Sequence, residues 1–175
     1  LLLSNPHLYT DNLRKELIQK LINTAYRVVI ALPYWEKVEL LKEMGCEFIN
    51  VPLIRRGTNP INELKLLFSY LKILRDVKPD IVLTYTLKPN LYGGLACRLN
   101  GLKVLHTVTG MGTVFIRNVL YKKVIIWLNR IAFKNSDLIV FMNEDNREFY
   151  KNLKIIHTDQ KTTIVAGSGV NLDKF

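Results

Sequence analysis

Two kinds of apolar pattern alternate along this chain. Short unbroken runs rich in Val, Ile and Leu (LLLS, YRVVIAL, CEFINVPL, DIVLTYT, KVLHTVT, DLIVFM and TTIVAG) are separated by longer stretches in which apolar residues return every three or four positions. Those stretches are DNLRKELIQKLIN, WEKVELLKEM, INELKLLFSYLKILRDV, NLYGGLACRLN, NVLYKKVIIWLNRIAFK and EDNREFYKNL. Unbroken runs suit strands buried on both faces, and the longer spacing suits amphipathic helices. Strands and helices that alternate from end to end imply right-handed crossovers and a parallel sheet. The pattern predicts a doubly wound α/β domain of about seven mainly parallel strands with helices on both faces.

Local chemistry supports these boundaries. Asn59 can cap a helix whose first residue is Pro60, and Pro79 ends that helix after RDVK. Gly45 and Gly101 fit helix C-terminal caps, and Lys134 complements the dipole of the helix before SDLIVF. No internal repeat, low-complexity segment or linker interrupts the pattern before the last few residues.

Composition adds size and charge. The chain has 175 residues, 49% of them hydrophobic, which is enough for one core and points to one domain. Twenty-five Lys and Arg against fifteen Asp and Glu give a formal charge of +10, so the expected partners are anionic: phosphates, nucleic acid or an acidic membrane surface. Cys46 and Cys97 stand far apart without ligand-spaced histidines, so neither a zinc site nor a disulfide is expected, and buried thiols in a reducing compartment are. Lys122, Lys123, Asn129 and Arg130 interrupt the longest apolar candidate, so no membrane span is expected. The chain opens on LLLSN without a methionine, which reads as a start inside the first strand of a longer protein.

In an open parallel sheet the ligand crevice lies beyond the carboxyl ends of the strands, where strand order reverses. For the common order 3-2-1-4-5-6 that point falls between the first and fourth strands. The loops there are SNPHLYT, with His7; YTLKPN, with Lys88 and Asn90; and, next door, TVTGMGT, with Thr109, Gly110 and Gly112. Their hydroxyls, amides and lysine suit a polyhydroxylated or phosphorylated ligand. RRGTNP follows the third strand, three strand spacings or about 14 Å from the fourth, too far to share a small ligand with Lys88. Arg55 and Arg56 beside the helix start at Asn59 form an anion site, or are solvated loop charges beside a capped turn.

Other signals are weaker. GMG lacks the third glycine of a dinucleotide fingerprint and argues only for close backbone approach, and no P-loop lysine follows GSG. His106 reads as a satisfied core histidine, and His157 has no partners in its loop. Glu39 and Glu47 match a spaced-carboxylate pattern, but Gly45 breaks the helix between them and Glu47 opens a strand. Glu144 and Asp145 open a helix at the crevice edge, where they favour the dipole or meet ligand hydroxyls. The stretch RNVLYKKVIIWLNRIAF is apolar on most of its circumference, so it either packs on the sheet with a basic outer edge or lies at an anionic membrane surface, and both can hold in part.

Five segments then combine: RRGTNP, VLTYTLKPNLYGGLACRLNG, TVTGMGT, FMNEDNREF and GSGVNLDKF. Together they resemble the N-terminal domain of bacterial family 4 glycosyltransferases of the GT-B fold, in the branch that builds capsule, lipopolysaccharide or glycoprotein glycans on undecaprenyl diphosphate. The resemblance covers essentially the whole chain. It implies a Rossmann-like acceptor-binding domain over 1–166, with 167–175 starting the connection to a C-terminal donor domain. It also implies a retaining transfer of a hexosyl or N-acetylhexosaminyl group from a nucleotide sugar, UDP-linked, to a lipid-linked saccharide.

The resemblance carries acceptor-binding roles to Arg55, Arg56, Thr58, Asn59, Lys88, Asn90, Gly110, Gly112, Glu144 and Asp145. His7 and Thr109 join them by their place in the crevice loops. SNPHLY replaces the glycine pair found in many members after the first strand, and Thr109 stands where a histidine is often found, so the roles tied to those residues are not carried over. No catalytic residue, metal or cofactor is expected in this half. The implied partners are the donor, through the other domain, the lipid-linked acceptor and an anionic membrane surface, with the enzyme cytoplasmic and peripheral on the inner face. A non-catalytic subunit of a split glycosyltransferase and a GT-B-like sugar-nucleotide epimerase are the alternatives. Nucleic acid is set aside, because no aromatic platform, helix-turn-helix or RRM-type motif accompanies the charge.

Overall fold

The computed structural model describes residues 1–5, 15–54, 57, 59–110 and 119–167, the side chains of 119–120 excepted. Its strands are β1 (Leu2–Leu3), β2 (Val29–Leu32), β3 (Glu47–Asn50), β4 (Ile81–Tyr85), β5 (Lys103–Val108), β6 (Leu138–Phe141) and β7 (Thr162–Ile164). The helices are α1 (Lys15–Asn23), α2 (Val38–Glu43), α3 (Pro60–Val77), α4 (Gly94–Asn100), α5 (Val119–Phe133) and α6 (Glu144–Asn152). All seven strands are parallel in the order β3-β2-β1-β4-β5-β6-β7. The order reverses between β1 and β4, as the sequence predicts.

Side chains alternate across each strand, and this divides the core in two. Leu3 and Ala31 point into the larger cluster with α3, α4 and α5, while Leu2, Ile30 and Leu32 point into the smaller one with Ile18 of α1 and Leu41 of α2. Helices therefore cover both faces. The two cysteines are free and buried, one in each cluster, and burial pushes their thiols up, Cys46 to about 11 and Cys97 to about 12.

Helix α3 forms where its sequence permits. Asn59 accepts a hydrogen bond from the Ile61 amide at 2.9 Å and Pro60 occupies the first turn. At the other end Lys78 turns left-handed (φ 48°) and donates its N–H to the Leu74 carbonyl, and Pro79 cannot continue the helix. Gly45 (φ 94°) and Gly101 (φ 63°) take the positive-φ positions after α2 and α4.

One element departs from the expected pattern. The helix foreseen from Asn90 begins instead with a π-helical turn, Pro89–Gly93, which runs into α4. A Cβ on Gly93 would stand 2.7 Å from Leu3 Cδ1, and one on Gly94 would stand 2.7 Å from His106 Cε1. The glycine pair lets this turn settle onto β1 and β5, so its role is close packing on the sheet.

Candidate functional site

The carboxyl ends of β1 and β4 open the crevice. Ser4 is buried after β1, its N–H on the Ala31 carbonyl at 3.3 Å, and Asn5 Nδ2 crosses to donate to Thr86 Oγ1 at 3.1 Å. Thr86 has φ 69°, a conformation a β-branched side chain rarely accepts, at a cost of about 1–3 kcal/mol. Its carbonyl accepts the Asn90 N–H at 3.0 Å, so the strained residue turns the chain directly from β4 into the π-helical turn.

Lys88, in that turn's first step, does not face the crevice as a free cation. Its Nζ donates to the Ile54 carbonyl at 2.6 Å, to the Gly57 carbonyl at 2.8 Å and to the Glu63 carboxylate. An ammonium has three protons, and all three are used. The pair is nearly buried, with side-chain exposures of 12% for Lys88 and 11% for Glu63. The two carbonyls bracket Arg55 and Arg56 in the chain, so Lys88 pins both ends of the segment that carries them.

This corrects the separation inferred from strand spacing. Strands β3 and β4 are three positions apart, but α3 connects them across β2 and β1, and its leading loop is carried over the switch point. The loop after β3 therefore reaches Lys88, and Asn59 at its end presents the N-terminus of α3 beside the clamp. Burial, and then the charge of Glu63, hold the Tyr92 phenol above its usual range, so it stays neutral beside the pair.

Asn90 is also turned inward, at 2% exposure. Its Nδ2 donates to the Thr107 carbonyl at 2.9 Å, and its Oδ1 accepts from Thr84 Oγ1 at 2.7 Å. Thr84 Oγ1 in turn lies 2.6 Å from His106 Nδ1. Because the Thr84 proton goes to Asn90, His106 must donate from Nδ1, which assigns the neutral tautomer. The ring stacks on Phe133 with centroids 4.3 Å apart, and burial pushes its pKa down to about 3. His106 is the core histidine the sequence suggested, and Asn90 joins β4 to β5 from within.

Four more of the predicted residues, Thr109, Gly110, Glu144 and Asp145, follow the carboxyl ends of β5 and β6. Thr109 is exposed and Gly110 half-buried just beyond β5. Glu144 and Asp145 are exposed in the first turn of α6, whose N-cap Asn143 accepts the Asn146 N–H at 2.8 Å, and Glu144 pairs with Arg147 at 2.6 Å. His7, Arg55, Arg56, Thr58 and Gly112 lie outside the described residues. Glu39 and Glu47 stay apart from the crevice: Glu39 pairs with Lys42, and Glu47 takes Arg27 at 2.6 and 2.7 Å.

Sequence reasoning missed Glu63. Glu63 reads as an ordinary acid in a helix's first turn, and nothing local links it to a lysine 25 positions later. Thr84 reads from the sequence as one of the crevice-loop hydroxyls, but the structure buries it and engages it with Asn90 and His106.

Residues 1–159 match the family model described as Glycosyl transferase 4-like. A Campylobacter jejuni protein named N,N'-diacetylbacillosaminyl-diphospho-undecaprenol alpha-1,3-N-acetylgalactosaminyltransferase is 28% identical over 167 residues, 93% of this chain and 44% of its own length. An Escherichia coli protein named UDP-Gal:alpha-D-GlcNAc-diphosphoundecaprenol alpha-1,3-galactosyltransferase is 32% identical over 126 residues, 71% of this chain and 32% of its own length. The chain thus spans less than half of either relative. Among solved structures, a glycosyltransferase from Rickettsia africae shares the fold with a TM-score of 0.68 and 21% identity, over 94% of this chain and 42% of that one.

Proposed function

Because the chain belongs to the glycosyl transferase 4-like family, we propose that it is the acceptor-binding half of a retaining glycosyltransferase. The enzyme moves a sugar from a UDP-linked donor to a saccharide carried on undecaprenyl diphosphate, in the synthesis of a cell-surface glycan. Residues 1–166 form the acceptor domain and 167–175 begin the connection to the donor domain. Both curated relatives carry diphospho-undecaprenol or diphosphoundecaprenol in their names, and one carries UDP-Gal.

The observation that carries this reading is the pinned loop. Lys88 and Glu63 neutralise each other, so the clamp at Ile54 and Gly57 consumes no charge from Arg55 and Arg56, which precede the capped N-terminus of α3 in the chain. Two guanidinium groups and the positive end of a helix dipole suit a diphosphate. Asn59, Thr109, Gly110, Glu144 and Asp145 follow the strand ends toward the saccharide, with Lys88 behind the loop and Asn90 fixing the sheet beneath it. The same acceptor role is assigned to His7, Thr58 and Gly112, outside the described residues.

The same half meets the membrane. No helix among the described residues is long and apolar enough to cross one. Exposed Ile61 and Phe68 of α3 and Val124 and Trp127 of α5 lie among the exposed lysines Lys65, Lys72 and Lys123, which suits peripheral docking on the anionic inner face.

Calorimetric titration of this chain with a short-chain polyprenyl-diphosphate saccharide, and separately with UDP-sugars, tests the assignment. The lipid-linked saccharide should bind alone, with Arg55→Ala and Arg56→Ala each weakening it about tenfold. Binding of the UDP-sugar alone would assign the other half of the reaction to this domain.

A further inference from the structure

Between α3 and α5 the helical layer is left open by a cavity of about 580 Å³, with the π-helical turn and α4 as its floor. Its walls are Leu64 and Leu67 from α3, Leu95 from α4, and Val124, Ile125 and Leu128 from α5. The size is that of a small-molecule site. We propose that this groove holds the first isoprene units of the lipid carrier whose diphosphate sits at the N-terminus of α3, an inference that rests on the acceptor-binding reading above.

The helices carry more apolar surface than the sheet requires. Leu66, Tyr70, Ile73 and Leu74 of α3 are buried in the core, as are Ile125, Ala132 and Phe133 of α5. Leu64 and Leu67, and Val124 and Leu128, form a second stripe on each helix at helical spacing, and these stripes face each other across the groove. Leu64 is 52% exposed and Val124 47% exposed, so the lips stay open to solvent.

Position selects the occupant. The groove takes residues from the first two turns of α3 and the N-terminal part of α5, and in a parallel sheet these turns lie at the carboxyl edge, where the crevice opens. Pro60, the first residue of α3, lines its mouth and directly follows Asn59. The lining is aliphatic apart from Glu63, whose Oε1 takes Lys88, Tyr92, held neutral beside Glu63, and Tyr121, so a guest in the groove meets mostly apolar surface. An apolar chain joined to an anionic head fits both parts. Ile61 and Phe68 stand one turn from Leu64 on α3, and Trp127 one turn from Val124 on α5, so further exposed apolar side chains flank the lips.

Calorimetry of this chain with inorganic diphosphate, geranyl diphosphate, farnesyl diphosphate and uncharged farnesol separates head from tail. Affinity should rise about tenfold or more with each added isoprene unit. Leu64→Asp and Val124→Asp, at half-exposed positions that leave the melting temperature unchanged, should return farnesyl diphosphate to the affinity of inorganic diphosphate. Farnesyl diphosphate binding no better than inorganic diphosphate in the unaltered chain would overturn the groove and leave the diphosphate reading standing. Farnesol binding that both substitutions abolish, with no gain from a diphosphate, would support the groove while the diphosphate reading fails. A dimer in sedimentation that either substitution splits would put a second copy of the chain in the groove and overturn the proposal.

Discussion

Lys88 and Asn90 stand two residues apart in one loop, both polar and both beyond the switch-point strand, yet they belong to different regions. Lys88 reaches outward and holds the backbone of another loop, at Ile54 and Gly57, with its charge matched by Glu63. Asn90 reaches inward and ties Thr84 on β4 to Thr107 on β5. The first shapes a surface that can receive a ligand, and the second fixes the sheet beneath it. A polar side chain near a crevice reports a binding role only after its internal partners have been counted.

The largest effect is expected from breaking the outer cluster on one side. Lys88→Met strands the Glu63 carboxylate in a nearly buried site and should cost about 3 kcal/mol of stability by urea denaturation. Adding Glu63→Gln should recover part of that loss, because the unpaired charge is then gone. Lys88→Met also releases the Ile54 and Gly57 carbonyls at both ends of the 55–56 segment, so diphosphate binding should fall even in the fraction that stays folded. If stability and binding both remain unchanged, the clamp has no such role.

Asn90→Ala probes the inner cluster. It leaves the Thr107 carbonyl and the Thr84 hydroxyl short of a partner inside the core, and should cost about 2 kcal/mol. Folded Asn90→Ala should still bind diphosphate with unaltered affinity. The two variants together test the division: both destabilise, and only the outer one disarms the ligand loop.

The sheet was legible because its signal is repeated. Seven apolar runs and the helices between them imply a parallel sheet with right-handed crossovers, and the switch point follows once the common order 3-2-1-4-5-6 is taken. Caps at Asn59, Gly45 and Gly101 were legible because they depend on neighbours in sequence. The Lys88–Glu63 pair was not, since it exists only after α3 has crossed two strands. The π-helical turn was hidden for another reason: a single turn of wider hydrogen bonding leaves no period to read. Helix α5 presented two readings, and the structure shows the packed one, with Ile125 and Phe133 buried against the sheet. Phe133 is therefore not a membrane-facing residue, as the second reading had it beside Trp127, while Val124 and Trp127 remain exposed.

His106 gives the inner cluster a pH signature. The fold keeps the ring neutral down to about pH 3, while an unfolded histidine takes up a proton below about pH 6.5. The unfolded state then binds one proton more, so stability should fall as pH is lowered through that window, by up to about 1.4 kcal/mol per pH unit. Above pH 6.5 the term is flat. His106→Gln should remove this one-proton component from the pH dependence of unfolding, and an unchanged slope would mean that the ring is charged in the fold or accessible to protons.

The smallest effect separates support from recognition at a single atom. Asn59 caps α3 through one exposed hydrogen bond to Ile61, so Asn59→Ala should cost about 1 kcal/mol. Asn59→Asp should cost almost nothing, since aspartate caps as well and its charge favours the helix dipole. That same charge would repel a diphosphate seated at the N-terminus of α3, so Asn59→Asp should keep its melting temperature and lose several-fold in diphosphate affinity. An aspartate variant that binds diphosphate as well as the original chain would place the anion elsewhere on the rim, and Lys88 would then be organising a loop for something other than phosphate.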